Sequence, residues 1–290
     1  MQWLSCLLLC GVLASPLRAE HDEALALFEQ KRYAEAQALF EQAVTDDPQD
    51  SVAHYQLGRL ARLRQDLPTA IEHLEKAAAL EPENAAIQYE LGAACGLHAD
   101  TLGMSFRAAS FARKGRAALE KAVALAPDQV RYRRGLLEFH RTAPGIVGGN
   151  IAKAYEQAEA IRTLDPVAGA LELIALHRHQ KRHAEALAAA SELLAHHPDH
   201  PMALFRFGEA AALTGEQTAQ GAAALERCLA LRTAEAGPSL AHVHWRLGQL
   251  RQKQGDIEGA RSSFRAALAI EPNQQEMAAD LARLPREGAP

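Results

Sequence analysis

Residues 51–84 read SVAHYQLGRLARLRQDLPTAIEHLEKAAALEPEN, and two helices joined by a turn can be traced within that one stretch. Leu57, Leu60, Leu74 and Leu80 recur at helical spacing as an apolar stripe, while Gln65, Glu72 and Lys76 fall where the helical period turns outward. Gly58 stands in the first helix where a side chain would hold the second helix away, and Ala70 and Ala77 supply the small surfaces expected to meet it. Close helix packing follows. Pro82, whose ring cannot continue a helix, closes the second one.

The pattern repeats along the chain. Pro48 and Pro82 stand 34 residues apart, and Ala36, Phe40 and Ala43 occupy the positions of Ala70, Leu74 and Ala77 one period earlier. This gives a first unit at about 20–50, with a shortened first helix, and a second at 51–84. The third unit, 85–128, opens with Leu91-Gly92 but closes at Pro127, 45 residues after Pro82. Its extra residues lie around 100–108, within HADTLGMSFRAAS, and are expected to form an insertion between the helices, followed by a long helix at 111–126. The fourth unit, 129–166, closes 39 residues after Pro127 and carries the loop APGIVGGN at 143–150, with Asn150 as N-cap of the next helix. Units at 167–198 (Leu173, Ala186, Ala190), 199–238 (Phe207-Gly208, Ala222, Cys228) and 239–272 (Leu247-Gly248, Ala260, Phe264, Ala267) follow. A helix at 273–284, with Met277, Leu281 and Leu284 on one side, is the polar-backed cap that a stack of repeats needs, and 285–290 reads as a disordered tail.

Composition bounds the rest. The 290 residues are 48% hydrophobic and only 5% aromatic, and helix formers dominate, so the class is all-α. A formal net charge of −5 gives no electrostatic footprint for nucleic acid. Residues 1–19, MQWLSCLLLCGVLASPLRA, read as a signal peptide: the apolar core at 4–14 is too short to anchor in a bilayer, and Ala19 is a small residue at the cut. The mature chain is then exported, to the periplasm, with no transmembrane segment. Cys95 and Cys228 fall in the third and sixth units, separated by helix layers of about 8–10 Å each, beyond the roughly 7 Å reach of a disulfide. Two buried free thiols are expected.

These matches resemble tetratricopeptide-repeat proteins over almost all of 20–284. The two insertions, with APGIVGGN followed by KAYEQAEAIRTLDP, resemble a group of exported bacterial repeat proteins without an assigned biochemical role. The resemblance implies a right-handed α-solenoid of about seven helix pairs with a C-terminal capping helix. It also implies protein or peptide binding on the concave surface, no enzyme activity and no cofactor. Some tetratricopeptide domains hold a C-terminal carboxylate with a Lys and Asn clamp, and this sequence departs from that pattern, with Arg59, Ala93 and Glu138 at the corresponding inner positions.

The register places Tyr55, Arg59, Arg62, Tyr89, Arg131, Arg134, Arg141, Arg178, Phe205 and Trp245 on that concave face, accompanied by Glu138, Arg206 and Arg246. Guanidinium forks and aromatic rings suit carboxylates and extended peptides. The same residues also fit an ordinary solvated face, with Arg134, Glu138 and Arg141 pairing along their own helix. Leu102, Met104 and Phe106 in the first insertion and Pro144 and Ile146 in the second are candidates for one shared rim, Pro144 and Ile146 packing their loop down. APGIVGGN lacks the Gly-Lys-Ser/Thr ending of a phosphate loop and follows a helix, not a strand. The histidines of HRHQKRH and HHPDHP fall at opposite ends of one helix pair, with no acidic or cysteine ligand at fixed spacing, so no metal site is read from them. The function expected is a non-catalytic protein–protein interaction scaffold of the bacterial cell envelope, with a protein or peptide partner. The alternative is a self-assembling, homo-oligomeric structural module.

Overall fold

In the computed structural model, which describes residues 16–231 and 237–285, the secondary structure is entirely helical. The chain forms two compact units, Met1–Asn150 and Ile151–Pro290. Residues 1–15 of the expected signal peptide, 232–236 near the end of the sixth unit, and 286–290 of the expected tail lie outside the described residues.

The first unit holds α1 (Pro16–Glu29), α2 (Tyr33–Asp46), α3 (Ser51–Leu63), α4 (Leu67–Leu80), α5 (Ala85–Thr101), α6 (Phe106–Leu125), α7 (Val130–Thr142) and a 3-10 turn at Gly145–Val147. In the second are α8 (Ile151–Leu164), α9 (Pro166–His179), α10 (His183–His196), α11 (Pro201–Thr214), α12 (Thr218–Leu231), α13 (Leu240–Lys253), α14 (Ile257–Ile270) and α15 (Gln275–Arg283). Within each unit consecutive helices pack on one another, α1 on α2 and α3 on α4 in the first, α11 on α12 and α13 on α14 in the second.

Local chemistry sets where these helices begin and end. The Asp50 side chain accepts from the Ala53 amide at 2.9 Å, and Asp165 and Asp256 cap α9 and α14 in the same way. Inside the pairs the chain reverses through a residue with positive φ: Lys31, Gln65 and Lys181 at 61°, 63° and 57°, and Gly255 at 82°. Only Gly255 adopts that region without a steric cost from Cβ. Between the early pairs, three closing proline carbonyls accept a side chain six residues on, from His54 to Pro48, Gln88 to Pro82 and Arg133 to Pro127. The bond ties the end of one repeat to the first helix of the next.

The core confirms why Gly58 is glycine. A Cβ there would lie 2.5 Å from Leu74 Cγ and 3.2 Å from the Ala70 carbonyl, so the partner across the contact is Leu74 and not Ala77 as the sequence suggested. The same close approach recurs at Gly208 against Leu225 and Gly248 against Phe264. Phe40, Leu60, Leu74, Ile87, Leu225, Leu250, Phe264 and Met277 are fully buried, and Cys95 and Cys228 are buried free thiols. Burial pushes the Cys95 thiol up to about 12, which keeps it protonated.

Four expectations are corrected. α1 is as long as α2, so the first helix is not shortened, and it begins at Pro16, ahead of the expected cut. The extra residues of the third unit do not form an insertion between helices. They lengthen α5 to 17 and α6 to 20 residues and leave only a short turn at 102–105. Leu80, at the last turn of α4, points outward. Ile146 and Pro144 are exposed, and it is Val147 that packs the APGIVGGN loop down, among Ala112, Leu119 and Phe139.

Two predictions follow from this packing. Gly58→Leu should destabilise the chain by about 1–3 kcal/mol through overpacking against Leu74; unchanged urea unfolding would show that the α3–α4 contact yields. The second concerns His73, whose Nδ1 meets the Nδ1 of buried His54 at 2.9 Å while His54 Nε2 meets the Pro48 carbonyl at 3.1 Å. Because the Pro48 carbonyl can only accept, neutral His54 donates its Nε2–H there and leaves Nδ1 bare to accept from His73 Nδ1–H. Burial, with His54 and Lys76 adding to it against Glu72 and Glu41, holds His73 below its ordinary value of 6.5. A depressed histidine leaves the unfolded chain with more bound protons, so stability is full above pH 6.5 and falls as the pH drops below it. The melting temperature should therefore fall from pH 7.5 to 5.5, and His73→Gln should lose part of that fall.

Candidate functional site

The first helices of successive pairs carry the polar chemistry of each unit. In the first unit the centre is Glu90 on α5, 1% exposed and flanked by helices α3 and α7. Arg62 on α3 donates Nε to Glu90 Oε2 at 2.8 Å, and Arg131 on α7 donates Nη2 to Glu90 Oε1 at 2.6 Å. Each carboxylate oxygen thus has its own guanidinium, as a desolvated carboxylate requires. Arg131 also lies 4.5 Å over the Tyr89 ring, which contacts Tyr132 at 5.0 Å between centroids. Burial opposes the Arg131 charge, but Glu90 and Tyr89 outweigh it and raise its pKa. Arg59 stacks over Phe28 at 4.5 Å and Tyr55 at 5.5 Å. Tyr55 itself is half-buried and its pKa is raised by that burial.

The second unit repeats the scheme with one more cation. Glu209 on α11 is buried and receives Arg178 Nη1 from α9 at 3.4 Å, Arg206 Nη1 from its own helix at 2.8 Å and Arg246 Nη2 from α13 at 3.5 Å. Arg206 stacks over Phe205 at 5.5 Å and Arg246 over Trp245 at 4.3 Å. Burial lowers the Arg246 pKa, partly offset by Glu209.

Sequence register therefore found the arginines but not their organisers. Glu90 directly precedes Leu91-Gly92 and Glu209 directly follows Phe207-Gly208. An acidic residue beside the packing pair, with arginines roughly one repeat away on either side, was the available signal. Phe205 and Trp245 are core residues, 6% and 8% exposed, and do not line an open face: Phe205 packs with Leu204 and Leu225, and Trp245 with Phe264 while its Nε1 donates to Asp280 at 2.8 Å. Arg141 pairs with Glu138 along its own helix, at 2.5 Å, as the solvated-face reading anticipated, and Arg134 is exposed beside them.

The two candidate rims do not merge. Met104 and Phe106 stand at the α5–α6 turn, Phe106 being 96% exposed and Leu102 partly covered. The APGIVGGN loop meets α6 farther along, where Arg116, ten residues after Phe106, donates to the Val147 carbonyl at 3.4 Å. Gly148, at φ 99°, lets Arg116 lie against the backbone. The amides of Val147, Gly148, Gly149 and Asn150 donate to Pro144, Gly145, Pro144 and His140, so none is left to cradle an anion. Among the described residues no three His, Cys, Asp or Glu side chains stand close enough to hold a metal ion, and His177 meets the Tyr155 hydroxyl at 3.2 Å. No described helix is long and apolar enough to cross a membrane.

Residues 21–85 match the family model described as tetratricopeptide repeat. A crystal structure of a tetratricopeptide repeat protein from Parabacteroides merdae ATCC 43184 superposes with a TM-score of 0.65 at 13% identity, covering 92% of this chain and 97% of that one. The fold is that of a tetratricopeptide-repeat protein. A chain in the crystal structure of the APC/C hetero-tetramer Cut9–Hcn1 is also similar, with a TM-score of 0.59 and 15% identity over 91% of this chain and 48% of that one. Residues 169–282, which include Arg178, Glu209 and Arg246, match a model described as a protein of unknown function, DUF2379. The search of curated proteins returns no match. A tetratricopeptide-repeat fold is generally a non-catalytic scaffold for protein–protein interaction, with protein partners.

The Glu90 bridge makes a non-additive prediction. Arg62→Met or Arg131→Met alone leaves the carboxylate one cation and should cost about 1–2 kcal/mol. The double variant strands a buried charge and should cost about 3–5 kcal/mol, most of it recovered by adding Glu90→Gln. Urea unfolding of the series checks this; a double variant no worse than either single would remove the bridge from the account.

Proposed function

We propose that this tetratricopeptide-repeat protein is an exported, non-catalytic scaffold of the bacterial cell envelope that binds a peptide or partner segment on the faces of its first helices. The observation that carries the reading is the row of partly exposed guanidiniums on those helices, Arg62 and Arg131 in one unit and Arg178 and Arg206 in the other, each fixed by a buried carboxylate. Fixed, half-desolvated guanidiniums lose little side-chain freedom on meeting a ligand, which favours recognition. Export rests on the apolar leader at 1–19.

Exposed Met104 and Phe106 favour a second reading, self-assembly through the α5–α6 turn. In-cell photo-crosslinking separates the two. Probes at Arg62 and Arg178 should each give a discrete adduct with another protein, while a probe at exposed Glu72 on α4 should not. Adducts to itself alone, strongest from a further probe at Phe106, would replace partner binding with self-assembly, and intact mass of the exported chain would locate the cut.

A further inference from the structure

The α5–α6 hairpin outreaches its neighbours in the first unit. α3 ends at Leu63, 34 residues before Leu97, yet α5 runs on to Thr101; α4 begins at Leu67, 45 residues before Ala112, yet α6 already begins at Phe106. At about 1.5 Å per residue the two helices overhang their counterparts by roughly 6 and 9 Å. Polar bonds hold the projecting turn. The Thr101 hydroxyl donates to the His98 carbonyl at 2.8 Å, the Ser105 hydroxyl accepts from the Ala108 amide at 3.0 Å, and Gly103, at φ 60°, reverses the chain between them. Met104 and Phe106 take no part in this and are 105% and 96% exposed, whereas Leu63, Leu80 and Leu97 keep half or more of their surface covered.

Charge gathers behind the same tip. Between Asp100 and Glu120 the chain carries Arg107, Arg113, Lys114 and Arg116 and no acidic residue, in a protein of net charge −5. Glu75 answers Lys114 and Glu120 answers Arg116, while Arg107 and Arg113 are exposed and enter no ion pair among the described residues. Arg107 adjoins Phe106, and Arg113 follows it by seven residues, two helical turns along the same side of α6.

Area decides what such a tip can meet. Two side chains of this size cover on the order of 400 Å², well under the roughly 1,200 Å² of a stable protein interface. A bilayer needs no matching surface, because it closes around single apolar side chains and its anionic headgroups attract the cations behind them.

We infer that the α5–α6 tip is a membrane-contact site, where Met104 and Phe106 enter the interface of an anionic lipid bilayer and Arg107 and Arg113 meet its headgroup phosphates. The inference uses none of the arginines on the first helices, so it stands or falls apart from the scaffold reading. It gives the tip a lipid occupant in place of a second copy of the chain.

Flotation of the full chain with vesicles of equal parts phosphatidylcholine and phosphatidylglycerol tests this. Met104→Ser combined with Phe106→Ser should lower the partition coefficient about tenfold or more. Arg107→Gln combined with Arg113→Gln should lower it several-fold, and added salt should act in the same direction. Ile146→Ser, at a residue 87% exposed in the loop that meets α6 ten residues behind Phe106, should change nothing. Met104→Trp supplies a signal that the apolar leader cannot: its emission should move to shorter wavelength on adding vesicles, beyond any shift of the unaltered chain. The inference is overturned if the chain stays off these vesicles, if the serine pair partitions as the unaltered chain does, if Ile146→Ser lowers partition as far as the serine pair, or if the new indole does not shift. Sedimentation velocity covers the competing occupant. An oligomer that the serine pair dissolves, without vesicle binding, assigns the tip to a second copy and overturns the lipid site.

Discussion

Everything in this structure depends on how closely two helices of one repeat approach. The glycine in the first helix lets a leucine or phenylalanine of the second sit against bare backbone, as Leu74 does at Gly58 and Phe264 at Gly248. With that distance set, the alanines at 70, 77, 260 and 267 fall into full burial, and the next pair can stack on the exposed side of the last. The stacking of the pairs rests on a contact that contains no side chain on one of its two surfaces. A repeat of this kind buries its apolar face only against neighbours, so the chain's stability is a sum of local joints.

That explains what could be read in the sequence. The small-residue pattern is strict in spacing because a side chain at Gly58, Gly208 or Gly248 would collide, and so the all-helical class and most helix pairs were legible. The closing prolines marked repeat ends, and Pro48, Pro82 and Pro127 also lend their carbonyls to the next helix. Less legible was the fate of eleven extra residues between Pro82 and Pro127. Alanine-rich sequence extends a helix as readily as it fills a loop, and only the tertiary contacts of α5 and α6 decide for longer helices.

The candidate site was legible only on its exposed side. Arginine at helical spacing, as at 131, 134 and 141, announces a polar face, and the register placed it on the first helices. Whether an aromatic beside such an arginine faces solvent or the core turns on a rotation of a single position, and Phe205 and Trp245 went inward while Tyr89 stayed under Arg131. The buried glutamates escaped notice because a charged residue in an amphipathic helix is assigned outward by default. Glu90 and Glu209 overturn that default only because arginines from helices 28 to 41 residues away arrive to pair with them.

The same bridges give each unit a lopsided elasticity. Arg62–Glu90–Arg131 joins α3, α5 and α7, and Arg178–Glu209–Arg246 joins α9, α11 and α13, and neither bridge includes a second helix. Their carboxylates are shielded from water, so salt screens them weakly, and stretching such a bridge exposes a bare charge. On the opposite side, the pairs Lys114–Glu75 and Lys121–Glu83 stand in solvent, where ions replace them at little cost. A unit built this way resists being opened along its first-helix side and yields on the other. Its stiffness therefore belongs to the face that carries the arginines, which keeps their spacing constant while the rest of the repeat breathes.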